Sequence, residues 1–343
     1  MTFKVTVQPA ERSFDVARDE AILPAAIRQG IGLPYGCKDG ACGTCKSRLL
    51  EGRVIHGAHQ HKALSVEEED AGFILTCCAT PQTDVVIESR QVSALGQFPV
   101  QKMPCRVAGI EKVAPDVAVV KLQLPANVVL QYYAGQYIEF ILRDGSRRSY
   151  SMANAPHLAQ GGLELHIRHM PGGKFTDHVF GAMKEKEILR MEGPFGSFYL
   201  RDESDKPLVL LASGTGFAPI KALIEHMQHK AISRPAVLYW GCRSQADLYL
   251  HAWAEKAAAE MPNLTYVPVL SEPRPEDGWQ GRTGLVHQAV MADLPDLSGH
   301  QVYACGAPIM VESAHKDFVA KCGLPDEEFY ADSFTSEADK HGD

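Results

Sequence analysis

The order of apolar and polar positions divides the chain into three stretches of different period. In the first, Lys4–Val7 and Ser13–Val16 alternate with a period of two around Pro9-Ala-Glu-Arg12, which predicts a hairpin. Apolar positions at Ile22, Ala25, Ala26 and Ile27 predict a helix capped by Asp19 and stopped at Gly30. Pro24 lies inside it and has no amide hydrogen, so this helix should begin late or bend. Short β runs at Ser47–Leu50, Ile74–Cys77 and Val85–Glu88, with an acidic helix start over Ser65–Asp70, complete an α/β unit.

The second stretch is dense in β runs: Arg106–Val113, Val117–Leu124, Tyr137–Leu142, Arg148–Met152, Leu163–His169 and Ile188–Met191. Turn residues between them predict a six-stranded antiparallel barrel, interrupted by one helix over Thr176–Met183. In the third stretch the period changes again. Apolar strands at Leu208–Ala212, Ala236–Trp240, Leu264–Leu270 and Gln301–Cys305 alternate with helical segments, the first running through His229. That alternation predicts a parallel α/β sheet with its ligand at the carboxyl ends of the strands. The expected organisation is residues 1–92, a linker over 93–103, a barrel over 104–202, an α/β domain over 203–335 and a flexible tail over 336–343.

Composition narrows the function classes. The 343 residues carry a net charge of −8, which argues against nucleic acid, since phosphate binding needs a basic surface. No apolar run approaches ~20 residues, so no membrane span is expected. Nine cysteines, an odd number, do not suggest a disulfide scaffold, and a reducing cytoplasm is the expected compartment.

Three of those cysteines, Cys37, Cys42 and Cys45, stand in a C-x4-C-x2-C spacing among Gly36, Gly40, Ala41 and Gly43, and Cys77 follows later. This is the plant-type spacing for a [2Fe–2S] cluster held by four thiolates. The loop must turn tightly and bring its backbone N–H groups against sulfur, and small residues allow that approach. A structural zinc site would want a second CxxC, and Cys77-Cys78 supplies only an adjacent pair. A Rieske centre needs histidine ligands in a Cys-x-His arrangement, which does not occur. His56, His59 and His61 read as a solvated loop rather than a metal site.

Two glycine-rich turns are further candidates. Pro171-Gly-Gly-Lys-Phe-Thr176 opens the barrel helix, and a helix N-terminus presents free N–H groups to a pyrophosphate. Ser213-Gly-Thr-Gly-Phe-Ala-Pro219 follows an apolar strand, but Pro219 replaces the third glycine of a dinucleotide fingerprint. The next strand ends Trp240-Gly-Cys-Arg243, without the acidic residue that would hold a ribose hydroxyl, so an ordinary Rossmann dehydrogenase is not expected.

Read together with Arg148-Ser149-Tyr150-Ser151, these turns make a stronger pattern: the segment resembles the R-x-Y-S flavin motif of the ferredoxin-NADP reductase family. The resemblance covers the barrel and the C-terminal domain, while the N-terminal stretch resembles plant-type ferredoxins, which implies a β-grasp fold there. It implies FAD, with Arg148 on the pyrophosphate, Tyr150 stacked on the isoalloxazine and Ser151 near its reactive nitrogen. Gly173, Phe175 and Thr176 match the family's barrel-helix motif, and Arg168 is expected to join the flavin phosphates. Gly214, Thr215, Gly216 and Pro219 match its nicotinamide-nucleotide loop. Cys305, Gly306 and Pro308 match its C-G-x-P motif, which implies a cysteine beside the nicotinamide. Trp279-x-Gly281-x-x-Gly284-x-Val286 is a further family-like segment, and Asp332-Ser-Phe334 resembles an ending whose ring shields the flavin, although nine residues follow it here.

The order ferredoxin, flavin barrel, nucleotide domain is that of reductase components serving multicomponent oxygenases. Over its whole length the chain looks closest to CDP-6-deoxy-3,4-glucoseen reductases, which implies electrons passing from NADH through FAD and the cluster to a pyridoxamine-phosphate dehydrase. NADH is expected over NADPH, because Arg243 is the only obvious cation near the second strand's end. Two other readings differ in what happens after reduction: the acceptor is an oxygenase component, or the chain senses redox state without turnover.

Overall fold

The computed structural model describes residues 2–92 and 98–335. The described residues form two compact units: 2–92 and 98–99 together with 331–335, and residues 100–330.

In the first unit the alternating apolar positions become one buried face. Strands β1 (Thr2–Gln8) and β2 (Arg12–Ala17) pair antiparallel, with Val5, Val7, Phe14 and Val16 all buried. Helix α1 (Ile22–Arg28) begins after Ala21, not at Asp19 as expected, and has no side-chain cap. Pro24 therefore falls in the first turn, where no intrahelical hydrogen bond is lost. Strands β3 (Lys46–Glu51), β4 (Val54–Ile55), β5 (Phe73–Leu75), β6 (Thr80–Pro81) and β7 (Val85–Glu88) follow. Helix α2 (Val66–Asp70) lies between β4 and β5, with Ser65 and Glu68 forming a reciprocal capping box. The main sheet has the order β2-β1-β7-β3-β5, and β7 runs parallel to β1. This mixed sheet is the β-grasp expected from the ferredoxin-like stretch.

In the second unit the barrel strands are β8 (Gln101–Ala114), β9 (Val117–Gln123), β10 (Tyr137–Ile141), β11 (Arg147–Ser151), β12 (Leu163–Arg168) and β13 (Ile188–Phe195). Residues 101–103, expected in the linker, are the start of β8; residues 93–97 of that linker, like the expected tail over 336–343, lie outside the described residues. The order β11-β10-β13-β8-β9-β12 is antiparallel wherever pairing is described. A bridge between Met152 and Leu165 joins its two ends, so the sheet edges satisfy one another. Val107, Val120, Leu122, Ile138, Phe140 and Met191 fill the interior. Helix α3 (Lys174–Gly181) starts two residues earlier than expected.

The α/β layer of the same unit contains β14 (Leu208–Ser213), α4 (Phe217–His229), β15 (Ala236–Cys242), α5 (His251–Glu260), β16 (Leu264–Leu270), β17 (Arg282–Thr283), α6 (Val286–Asp293), β18 (Gln301–Gly306) and α7 (Pro308–Cys322). Strand β19 (Phe329–Ser333) completes the sheet, in the order β17-β16-β15-β14-β18-β19. Strands β17-β16-β15-β14-β18 pair parallel, and the central β14 and β18 are buried on both faces, which explains their continuous apolar runs. No helix among the described residues is long and apolar enough to cross a membrane.

Candidate cofactor sites

The cluster loop turns where its small residues allow it. Gly40 has φ of +78°, and a side chain there would meet His59 at 2.8 Å and the Cys78 sulfur at 2.9 Å. The four predicted cysteines assemble as two pairs. Cys45 and Cys77 have sulfurs 3.2 Å apart. Across the loop, Cys37 N donates to Cys42 Sγ and Ala41 N to Cys37 Sγ, both at 3.4 Å. The bond from the Cys37 thiol, aided by its backbone N–H, pulls the Cys42 thiol down to about 6 against the cost of burial, while Cys37 is raised by the same pairing. Backbone N–H groups aimed at these sulfurs suit the thiolates that binding an iron–sulfur core would leave. Two of the three nearby histidines are not simply solvated: His59 Nε2 lies 2.9 Å and His56 Nδ1 3.8 Å from Glu69, while His61 is exposed.

On the barrel, the two motifs expected to hold flavin meet through their aromatic rings. Tyr150 on β11 lies 5.4 Å from Phe175 of α3, and Phe140 packs against both, at 5.9 and 4.7 Å. Burial raises the Tyr150 phenol, which stays protonated. Ser151 is buried, Ser149 exposed, and Arg148 half-buried with its guanidinium donating to the Arg147 carbonyl. The Thr176 hydroxyl donates to Met170 O at 2.9 Å and accepts from Met170 N, closing its own loop against Gly173. Gly173 caps α3 without a side-chain hydrogen bond, which leaves that terminus suited to a phosphate.

The nucleotide loop is built by close approach. Gly216 sits so near Cys305 that a β-carbon would stand 2.1 Å from the Cys305 carbonyl oxygen. Gly306, at φ of +136°, packs on Ser213, whose hydroxyl accepts from Ala307 N at 2.9 Å. The C-G-x-P segment, with Pro308 opening α7, and the Gly214–Pro219 segment therefore form one surface. Trp240 Nε1 donates to Gly214 O at 3.0 Å and its ring stacks on Phe217 at 3.9 Å. Cys305 itself is fully buried.

Arg168, expected at the flavin phosphates, lies beside the nucleotide loop. Its guanidinium lies against Gly214, so that a β-carbon there would be 3.4 Å from Nη2. Its Nε and Nη2 atoms are buried and find no hydrogen-bond partner among the described residues; the Asp116 carboxylate stands off at 3.6 Å. Orphaned charged donors are costly unless an anion completes them. Arg243, at the end of β15, is 3.5 Å from Asp247 and 3.8 Å from Asp116. Asp247 was missed in sequence because it lies beyond the strand end, where the 3-10 turn Gln245–Asp247 folds it back. Phe334 follows β19 and is half-buried, among residues 331–335 that belong with the first unit. In the family-like segment near Trp279, Gly281 is required because a side chain would meet the indole at 2.5 Å.

A buried ionic network was also invisible in sequence. Lys221 of α4, 5% exposed, donates to Ala153 O at 3.0 Å and Glu225 Oε1 at 2.5 Å, and lies 3.2 Å from Glu164 on β12. Its ammonium sits 5.2 Å from the Trp253 ring centre. Glu225 also accepts from Ala155 N at 2.8 Å, and His166 links Glu164 to the Tyr249 hydroxyl. For Glu164, burial acts upward, but the His166 hydrogen bond and the Lys221 charge outweigh it and hold the carboxyl down to about 2. For Glu225, burial dominates the same ammonium and raises the carboxyl.

Comparison with known proteins gives these sites their context. Residues 5–82 match the 2Fe-2S iron-sulfur cluster binding domain, 104–199 the oxidoreductase FAD-binding domain and 210–316 the oxidoreductase NAD-binding domain. The chain is 40% identical over 334 residues to a CDP-6-deoxy-L-threo-D-glycero-4-hexulose-3-dehydrase reductase of Yersinia pseudotuberculosis, covering 97% of this chain and 99% of that relative. It is 35% identical to a phenol hydroxylase P5 protein of Acinetobacter pittii, with 99% and 96% covered. Among solved structures, the Amycolatopsis cytochrome P450 reductase GcoB aligns at a TM-score of 0.78 and 33% identity, covering 98% of this chain and 99% of that one. The chain accordingly belongs to the ferredoxin-NADP-reductase-type fusions, oxidoreductases that join a [2Fe–2S] ferredoxin domain to FAD- and NAD-binding domains and pass electrons from NADH toward a partner.

Proposed function

We propose that this reductase delivers its electrons to a cytoplasmic sugar-nucleotide 3-dehydrase of the pyridoxamine-phosphate type. The observation that carries the reading is the 40% identity, over nearly the full length of both chains, to a reductase named for a CDP-6-deoxy-hexulose 3-dehydrase. Oxygenase components are the second reading, favoured by the 0.78 TM-score to a cytochrome P450 reductase. FAD, when bound, supplies the conversion between a two-electron hydride and single electrons, and the cluster supplies one-electron carriage.

The residues divide the work. Cys37 and Cys42 on one side and Cys45 and Cys77 on the other would hold the two irons. Arg148 would give forked bonds to the flavin phosphates, the α3 terminus at Gly173 adding its free N–H groups. Tyr150, braced by Phe175, would cover the ring system, and the Ser151 hydroxyl would reach its reactive edge. Gly214, Thr215, Gly216 and Pro219 would carry the nicotinamide nucleotide with Cys305 alongside. Arg168 is read on the nucleotide side rather than the flavin side, because its orphaned donors face Gly214. The carboxylates of Asp116 and Asp247 beside Arg243 support NADH over NADPH, since they would repel a 2′-phosphate.

Two measurements test this. Cys42→Ser should abolish cytochrome c reduction while NADH still bleaches the flavin in anaerobic stopped flow; undiminished cytochrome reduction refutes the cluster route, and absent bleaching in the wild type favours a sensor. With a purified pyridoxamine-phosphate dehydrase and its CDP-sugar, NADH oxidation should depend on all three components. Turnover with a phenol hydroxylase component and none with the dehydrase selects the oxygenase reading.

A further inference from the structure

A fifth sulfur stands at the cluster site. Residues 76–78 leave β5 in a turn, with Cys78 N bonded to Leu75 O at 3.0 Å and Ala79 N to the same oxygen at 2.8 Å. In an extended strand, neighbouring side chains point to opposite faces, and an adjacent cysteine pair could offer one sulfur only. The turn brings both sulfurs to the same side. Cys78 Sγ is 3.4 Å from Cys77 Sγ, which is itself 3.2 Å from Cys45 Sγ. A metal tetrahedron with sulfur bonds of about 2.3 Å has edges of roughly 3.7 Å, so these are ligand-to-ligand spacings. Cys78 also faces the cluster loop, as its approach to Gly40 requires, and its carbonyl is held by Gly57 N at 3.1 Å.

We propose that Cys78 is a reserve ligand for the iron assigned to Cys45 and Cys77, taking the place of Cys77 when that sulfur is lost. The exchange would be redox-neutral: the Cys78 sulfur would bind iron as the Cys77 sulfur leaves, the proton given up by Cys78 passing to Cys77, or to solvent where Cys77 is substituted. The proposal rests on the four-cysteine reading, and the Cys37→Ala variant separates the two. That reading fails if Cys37→Ala keeps a native cluster.

The test measures iron and acid-labile sulfide per chain, with the electron paramagnetic resonance of the dithionite-reduced protein. Cys77→Ala should retain about two irons per chain with shifted g values. Adding Cys78→Ala should lower cluster content by roughly tenfold or more, the scale of a lost metal-site partner, while Cys78→Ala alone keeps the native spectrum. Loss of the cluster in Cys77→Ala, or its retention in the double variant, overturns the proposal. Should Cys77→Ala fail to fold, the isosteric Cys77→Ser replaces it: its cluster must be lost on adding Cys78→Ala, and unchanged content refutes the reserve ligand.

Discussion

Lys221→Met removes one charge from the buried network and tests what that network positions. The ammonium touches the Ala153 carbonyl, two residues after Ser151 of the flavin motif, and sits on α4, which opens directly after the Gly214–Gly216 loop. It thus ties the segment following one motif to the helix following the other. Methionine fills similar volume but leaves Glu164 and Glu225 facing one another without a cation. Breaking a buried pair in this way costs about 3–5 kcal/mol. Displacing a reacting group by 1 Å costs on the order of a hundredfold in rate. The variant should therefore lose stability of that size in urea unfolding at pH 7. NADH-dependent flavin bleaching should slow by roughly ten- to a hundredfold with flavin content unchanged, and the long-wavelength nicotinamide–flavin absorption should weaken. Lys221→Arg should restore part of both. A pH series adds a signed check. Glu164 is depressed from 4.5 to about 2, so its contribution is full above 4.5 and is lost as pH falls toward 2. At 1.36 kcal/mol per unit this is about 3 kcal/mol. Without Lys221 the depression shrinks, and acid unfolding should move to higher pH. Unchanged stability together with unchanged bleaching would refute the positioning role.

Two further outcomes probe the nucleotide side. Arg168→Gln should weaken ADP-ribose binding, followed by tryptophan fluorescence, by roughly ten- to a hundredfold, the value of a charged hydrogen bond of about 1.5–3 kcal/mol. FAD content should stay the same, and loss of FAD instead would return this arginine to the flavin phosphates. Gly216→Ala puts a β-carbon 2.1 Å from the Cys305 carbonyl oxygen, so the loop must move. NADH-driven bleaching should fall about a hundredfold, while cytochrome c reduction by the dithionite-reduced cluster persists.

What could be read from the chain itself was whatever a local period or a fixed spacing encodes. The alternation of Val5 and Val7, the unbroken apolar run Leu208–Ala212 and the C-x4-C-x2-C spacing each report a local geometry, because strands repeat every two residues and a loop's ligands must be near in sequence. Those signals pointed to the barrel, the parallel sheet and the four-cysteine cluster reading, whereas the β-grasp and the flavin and nucleotide residues came from the resemblance to ferredoxins and ferredoxin-NADP reductases. Helix boundaries were less legible: Asp19 looks like a cap, yet α1 starts after Ala21, where Pro24 costs nothing. Tertiary structure decided everything that depends on segments distant in sequence. Only the fold sets Gly216 against Cys305, Arg168 against Gly214 and Lys221 between Glu164 and Glu225, since those pairings arise from sheet order rather than spacing. The turn after β5 did the same for Cys78, converting a neighbour that an extended chain would point away into a fifth sulfur at the cluster.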